Sequence, residues 1–250
     1  MKKLIAAASA MAVTVVAGYA QTNIYQVDWG VGNPADGTAQ VVVPPSLIDL
    51  TNPDANVTFM GQVWGTRPGI FQLSVENEGD SSFHIQDMLC VELTQGTGNA
   101  TYGYRDLAGY VGYLADQIPN VIDNPDPDND KAAALALATW KLEYDAYDPT
   151  TMTVNLTGLS FSTGELQYVR TNESVAEYDT ILGYANGYIA DVQALTPAQA
   201  ATYAYRYYAN PSNDVGAGYQ DYITATSVPS PVAVIPFLTG ILVALRRRKR

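Results

Sequence analysis

Residues 228–250 constrain this chain more strongly than any other stretch. In order, the segment contains a Pro-x-Pro motif (Val228, Pro229, Ser230, Pro231), an apolar run (232–245) and a basic block (246–250). As a helix the apolar run covers about 21 Å, whereas the hydrocarbon core of a bilayer is about 30 Å thick. It is therefore a short membrane segment, which the long basic side chains extend by reaching the interface. A buried C-terminal core helix is the alternative.

The order of these three parts resembles the PEP-CTERM sorting tail of bacterial exported proteins, in which the motif is Val-Pro-Glu-Pro. Val228, Pro229 and Pro231 match, and Ser230 replaces the glutamate. The resemblance implies a transient stop in the inner membrane through 232–245 and processing by an exosortase-like enzyme. Delivery to the cell surface, outer envelope or extracellular matrix would follow. A variant sorting enzyme or permanent anchoring is the alternative that Ser230 leaves open.

The first twenty residues carry the matching export signal. Two lysines precede an apolar run over 4–17, and small residues stand at Gly18 and Ala20. This pattern predicts a secretory signal peptide that signal peptidase cuts between Ala20 and Gln21; an uncleaved anchor is the alternative. The chain then divides into a signal peptide (1–20), a single exported domain (21–226) and a sorting tail (227–250).

The exported domain is strongly acidic. It keeps all twenty-five acidic residues of the chain but only six of the thirteen basic ones, a net charge of about −19. Such a field repels nucleic acid and anionic membrane surfaces, so neither is expected as a partner. It suits a calcium-containing, polysaccharide-rich exterior, although it is equally typical of a soluble acidic domain.

Hydrophobic periodicity predicts an α+β fold for the domain. We expect a mostly antiparallel sheet or small barrel with three to four packed helices, between an N-terminal signal helix and a C-terminal hydrophobic helix. The pattern predicts strands over 57–63, 70–75, 83–93 and 222–226, with a hairpin over 154–161. It predicts helices over 105–117, 131–144 and 172–192, and from a capping box at 196–199 to about residue 210. The helix 131–144 is apolar on all sides and should be buried, with Asp130 as its N-cap.

Two stretches of the domain resemble bacterial surface thioester domains. Residues 88–93 contain Cys90 and look like the cysteine strand of that family, and residues 134–140 look like its tryptophan helix. In the family, a thioester joins the cysteine to a glutamine four residues before the tryptophan. That position is Ala136 here, so the resemblance implies the packing without the covalent chemistry. Cys90 is expected as a buried thiol, with an intermolecular disulfide or a metal-bound thiolate as alternatives.

Other candidate sites rest on weaker patterns. Asp123, Asp126, Asp128 and Asp130 alternate in a way that suits Ca²⁺, but a solvated acidic loop ending in an N-cap explains them as well. Asp126, Asp128 and Asp130 are therefore weak candidate metal ligands. His84 is the sole histidine, which excludes a multi-histidine metal site. Tyr203, Tyr207 and Tyr208 would share a helix face that either stacks on sugars or packs on the sheet.

These patterns together favour a non-enzymatic protein of the cell surface or extracellular matrix, structural or adhesive in role and without a cofactor. Its expected partners are signal peptidase, the exosortase-like enzyme and the inner membrane, with extracellular polysaccharide as a candidate ligand. The alternative is a secreted carbohydrate-active protein, either a glycan-binding module or a glycosidase that uses two carboxylates.

Overall fold

A computed structural model describes residues 37–42, 50–51, 56–59, 62–66, 68–76, 82–91, 93, 99–122, 128–148, 153–170, 173–209 and 220–226. The signal peptide with its cleavage point Ala20–Gln21, and the tail with Val228, Pro229, Ser230 and Pro231, lie outside these residues. So do both predicted terminal helices. None of the helices in the described part of the chain has both the length and the apolar character needed to span a membrane.

The strands and helices follow one another in a mixed order. The strands are β1 (Gly37–Val42), β2 (Leu50–Thr51), β3 (Asn56–Phe59), β4 (Gln62–Gly65), β5 (Gly69–Glu76), β6 (Phe83–Cys90), β7 (Ala100–Ala108), β8 (Tyr147–Asp148), β9 (Thr153–Val154), β10 (Leu166–Val169), β11 (Ala204–Ala209) and β12 (Tyr222–Ala225). The helices are α1 (Tyr110–Asp116), α2 (Ile118–Ile122), α3 (Asn129–Lys141), α4 (Val175–Ala194) and α5 (Pro197–Ala200), and a π-helical turn (Leu142–Ala146) continues α3.

Six of the strands close into a small barrel. Their order is β1-β7-β11-β12-β6-β5, and a further pairing of β5 with β1 completes the ring. Each of these pairings is antiparallel. Strand β2 adds to the free end of β5, and β10, β3 and β4 form a separate small sheet. The expectation of an antiparallel sheet or barrel with packed helices, an α+β fold, is confirmed.

The interior of the barrel is filled mainly by aromatic side chains. Its packed cluster consists of Leu73, Val75, Met88, Cys90, Tyr102, Tyr208 and Tyr222. The rings of Tyr102 and Tyr222 lie 5.8 Å apart, in the range of favourable aromatic pairs. Leu89 and Val91, on either side of Cys90, belong to the other cluster, as the alternation of a strand requires.

The second cluster lies between the outer face of the barrel and the helices. Helix α3 is its centre: all residues from Ala132 to Ala138 are 0% exposed, which confirms the predicted buried helix. The N-cap is different from the prediction. The side chain of Asp128 accepts the backbone N–H of Lys131 at 3.0 Å, and Asp130 lies inside the first turn.

The helix predicted from 196 to about 210 is wrong beyond its first turn. The capping box of Thr196 and Gln199 is present, but α5 ends at Ala200 and the chain enters β11 at Ala204. Tyr205, Tyr207 and their neighbours alternate in burial and pair with both β7 and β12. Tyrosine favours strands, and this pairing decides the conformation. Tyr207 and Tyr208 therefore point to opposite faces of a strand and share no helix face with Tyr203.

Other boundaries also differ from the periodicity, and the strand predicted over 83–93 ends at Cys90. The segment 57–63 is a hairpin of β3 and β4. The segment 105–117 begins as strand β7, which pairs with β11 up to Ala108 before α1 starts at Tyr110. In 154–161 only Val154 is in a strand, paired with Tyr147, and the chain turns at Gly158, which has a positive φ of 72°.

A buried lysine fixes the loop before β10. Lys141, 1% exposed, donates from Nζ to Asp145 at 2.6 Å and to the carbonyl oxygens of Thr163 and Leu166 at 2.6 and 2.8 Å. Asp145 in turn accepts the backbone N–H of Leu166. At Gly164, whose φ is +94°, a Cβ would lie 2.2 Å from Asp145 Oδ1, so glycine is required there. Such a buried charge is tolerated because its hydrogen bonds are satisfied.

Helix α1 packs so closely on the chain before β11 that we expect Gly112→Ala to destabilise the protein. The added Cβ would lie 2.1 Å from the backbone oxygen of Tyr203. Overpacking of this kind costs about 1–3 kcal/mol, measurable by urea unfolding followed through tryptophan fluorescence.

The matched control is Gly183→Ala in α4, where nothing lies within 4 Å of the added Cβ. The gain in helix propensity should stabilise the protein by roughly 0.5–1 kcal/mol. Equal midpoints for the two variants would contradict the close packing of α1.

Candidate functional site

The cysteine strand and the tryptophan helix meet as the sequence suggests. Trp140 Nε1 donates a hydrogen bond of 2.7 Å to the backbone oxygen of Cys90, and both residues are 1% exposed. This bond satisfies the indole nitrogen in the core. It also fixes the position of α3 along strand β6.

The side chains that a thioester would join belong to different clusters. Cys90 packs inside the barrel with Tyr102 and Tyr222, whereas Ala136 packs in the cluster between the barrel and the helices. A thioester is therefore disfavoured for two reasons: Ala136 has no carboxamide, and the Cys90 side chain lies in a different cluster. The described geometry places Cys90 as the buried thiol that the sequence predicts.

A buried acidic group lies just beyond the tryptophan. Glu143, in the π-helical turn Leu142–Ala146, is 5% exposed, and its Oε2 has no hydrogen-bond partner. The hydroxyl of Tyr205, facing it from β11, is also buried without a partner. Asp221, which accepts a hydrogen bond from the Tyr207 hydroxyl, lies close enough to act on the Glu143 carboxyl. π-Helical turns of this kind often occur at functional positions.

Burial determines the protonation of this cluster. Removal from water, with a smaller contribution from the carboxylate of Asp221, raises the pKa of Glu143 to about 8. Burial, with a smaller contribution from Glu143, raises the pKa of Tyr205 well above its usual value. Glu143 is therefore largely protonated at neutral pH, and it is too deeply buried to contact a polysaccharide.

A second group of polar residues lies at the surface, where α4 faces α1 and the start of α3. It consists of Tyr113, Tyr184, Tyr188, Asp128 and Asp191, which we call the tyrosine–aspartate strip. Tyr184, Tyr188 and Asp191 follow at spacings of four and three residues and so lie on one side of α4. The Tyr113 hydroxyl donates to Asp191 Oδ2 at 3.2 Å, and Lys131 Nζ lies 5.3 Å from the centre of the Tyr184 ring.

The candidate metal ligands are only partly described. Asp126 lies outside the described residues. Asp128 caps α3 and pairs with Lys131 Nζ at 3.1 Å, and Asp130 occupies the first turn of the same helix. In the part of the chain that the structure describes, no three His, Cys, Asp or Glu side chains are grouped to hold a metal.

Two of the notable residues were not found by sequence reasoning. Glu143 follows an alanine-rich segment that is apolar on all sides. Its place at the end of a buried helix could have indicated that the acid is buried too. Tyr188 carries no local signal, because its neighbours Asp128 and Tyr113 come from other helices. His84, which the sequence did single out, is exposed and within 3.1 Å of the Gln86 side chain.

Comparisons with known proteins give one distant structural match. No protein-family model matches the chain, and no curated protein does. Among solved structures, the chain is similar to the N-terminal thioester domain of a protein F2-like fibronectin-binding protein from Streptococcus pneumoniae. The identity is 12%, the TM-score is 0.31, and the match covers 78% of this chain and 95% of that domain.

The packing of Cys90 and Ala136 in different clusters leads to a prediction for Ala136→Gln. The variant should form no thioester, because the new carboxamide enters the cluster that does not contain the thiol. It should also be destabilised by about 1–3 kcal/mol through overpacking. Intact mass, with and without methylamine, tests the bond, and urea unfolding tests stability.

Ala176→Gln, at an exposed position of α4, is the control and should leave stability nearly unchanged. Loss of ammonia from Ala136→Gln, followed by uptake of methylamine, would contradict the assigned direction of Cys90.

The raised pKa of Glu143 predicts a pH dependence of stability. The folded value of about 8 exceeds the ordinary value of 4.5, so the folded state binds more protons between these limits. The free energy of unfolding should therefore be highest below about pH 4.5, as far as this group contributes, and fall as pH rises through 8. Glu143→Gln should remove this part of the slope in urea unfolding measured across the range.

Glu165→Gln, the same substitution at an exposed position, should leave the slope in place. A wild-type slope that Glu143→Gln does not alter would show that Glu143 is ionised in the folded protein.

Proposed function

We propose that this chain is a bacterial exported protein of the cell surface or extracellular matrix, with a structural or adhesive body and no enzymatic activity. The observation that carries the proposal is the order of the Pro-x-Pro motif, the apolar run 232–245 and the basic block 246–250. The export signal in 1–20 supports it, since both features direct the intervening residues out of the cytoplasm. The partners are then signal peptidase, an exosortase-like enzyme and the inner membrane.

The proposed attachment of the body is non-covalent. Ala136 offers no carboxamide for a thioester, so capture of an amine by Cys90 is not part of the proposal. The acidic surface supports a place among extracellular polymers, since a body of about −19 is soluble and repels other anionic surfaces. Binding would then depend on side chains at the surface of the helices and the barrel.

The test is the intact mass of the protein recovered from its native host, separately from each cell fraction. We expect the surface or secreted fraction to lack residues 1–20 and the residues beyond the 228–231 motif, because both enzymes would have acted. A mass that retains 246–250 in the inner-membrane fraction would contradict sorting and indicate a permanently anchored ectodomain.

The motif itself is tested by Ser230→Glu, which restores the residue of the family that the tail resembles. We expect processing to be at least as complete as in the unchanged chain, whereas Pro229→Ala with Pro231→Ala should leave the tail attached. Ser227→Glu adds the same charge just outside the motif and should have no effect. If the double proline variant is processed normally, the motif is not the recognition element.

A further inference from the structure

The tyrosine–aspartate strip combines aromatic faces with carboxylates at an accessible surface. The Tyr184 side chain is 39% exposed, Asp191 is exposed, and Tyr113 and Tyr188 are half-buried. Residues four apart on a helix are neighbours, so Tyr184 and Tyr188 lie side by side, and Tyr113 on α1 extends the surface past Asp191. The ring of Tyr203 packs edge-on against Tyr113 at 5.1 Å and holds it in place.

The strip is electrostatically negative. Burial is the largest of the causes that raise the pKa of Tyr188 to about 12, and the carboxylates of Asp128 and Asp191 are among the smaller ones. The pKa of Tyr113 is also raised to about 12, mainly by burial and then by Asp191. Burial would oppose a charge of either sign, so the attraction for a cation comes from the carboxylates of Asp128 and Asp191.

One ammonium group of the protein already occupies part of this surface. Lys131 Nζ lies 3.1 Å from Asp128 Oδ2 and 5.3 Å from the centre of the Tyr184 ring. An ammonium between a carboxylate and a tyrosine face makes an ion pair and a cation–π contact at once. The Lys131 side chain is 35% exposed, so an external ammonium can compete with it. At the other end of the strip, Asp191 supplies a second carboxylate, which accepts the hydrogen bond of the Tyr113 hydroxyl.

We propose that the tyrosine–aspartate strip binds a polymer of amino sugars, through ammonium groups at Asp128 and Asp191 and sugar rings against Tyr184, Tyr188 and Tyr113. The inference deepens the proposed function, on which it rests for an extracellular location. Ring-shaped units can contact several tyrosine side chains at once, which a thin polyamine chain does less well. The acidic strip excludes polymers of uronic acids.

The experiment measures binding of a glucosamine hexamer to the purified full-length protein in detergent, at mildly acidic pH, where amino sugars are protonated. We expect saturable binding that weakens as salt is added. Tyr188→Leu and Asp191→Asn should each weaken it about two- to fivefold. Lys131→Gln should strengthen it by about the same factor, because the competing cation is removed. If the strip had only a structural role, Lys131→Gln would not strengthen binding, so this variant distinguishes the two roles.

Asp179→Asn, an exposed aspartate of α4 outside the strip, is the matched control and should bind like the unchanged protein. Thermal unfolding of each variant shows whether a loss of binding is a loss of fold, and in that case Tyr188→Phe, which keeps the ring, should bind normally.

Three results would overturn the inference: no binding of the hexamer, equal binding of N-acetylglucosamine hexamer, or tighter binding of spermine. Absence of binding would show that the strip is not a binding site. Equal binding of the N-acetylated hexamer would show that the ammonium is not recognised, and tighter binding of spermine would identify a polyamine as the ligand. Because the purified protein is used, these results are independent of tail processing in the host. Failure of the inference and failure of the sorting proposal can therefore be distinguished.

Discussion

The burial of helix α3 on every side is the constraint on which the rest of the structure depends. A helix that is apolar on every side exposes too much apolar surface to be stable alone in water, so other elements must cover it. The outer face of the barrel covers one side, and helices α1 and α4 cover others. The hydrogen bond from Trp140 to the backbone of Cys90 sets the position of the helix along β6, and thus joins the helical layer to the barrel.

The end of that helix contains two of the three charged residues that are buried in the described part of the chain, Lys141 and Glu143. Lys141 and Asp145 satisfy each other and the loop before β10, whereas Glu143 between them has an oxygen without a partner. A buried ion pair with full hydrogen bonding is tolerated, but an isolated carboxyl avoids its charge by taking up a proton. Glu143 and Asp145 are only two positions apart, but the π-helical turn directs their side chains to different surroundings. Asp145 therefore forms an ion pair, whereas Glu143 is a buried acid.

Tyrosine has three structural roles in this chain, and the role depends on which surface a residue faces. Tyr102 and Tyr222 fill the barrel, Tyr205 and Tyr207 connect the barrel to the helices, and Tyr184 and Tyr188 reach solvent on α4. The ring supplies apolar area in each case, and the hydroxyl remains a polar group that needs a partner or water. Composition alone cannot assign these roles, because it does not say which surface of the fold a residue faces.

The sequence by itself determined the buried helix 131–144, the strands around residues 70–75 and 83–90, the helix 172–192 and the capping box at Thr196. Each of these rests on local periodicity or capping chemistry, which a sequence contains directly. It also contains the pattern of the two ends on which the proposed export rests. Tertiary structure decided the strand at Ala204, where pairing with β7 and β12 prevails over the helix that the capping box begins. It likewise decided the protonation of Glu143 and the assembly of the tyrosine–aspartate strip, because burial and contacts between distant helices arise only when the chain is folded.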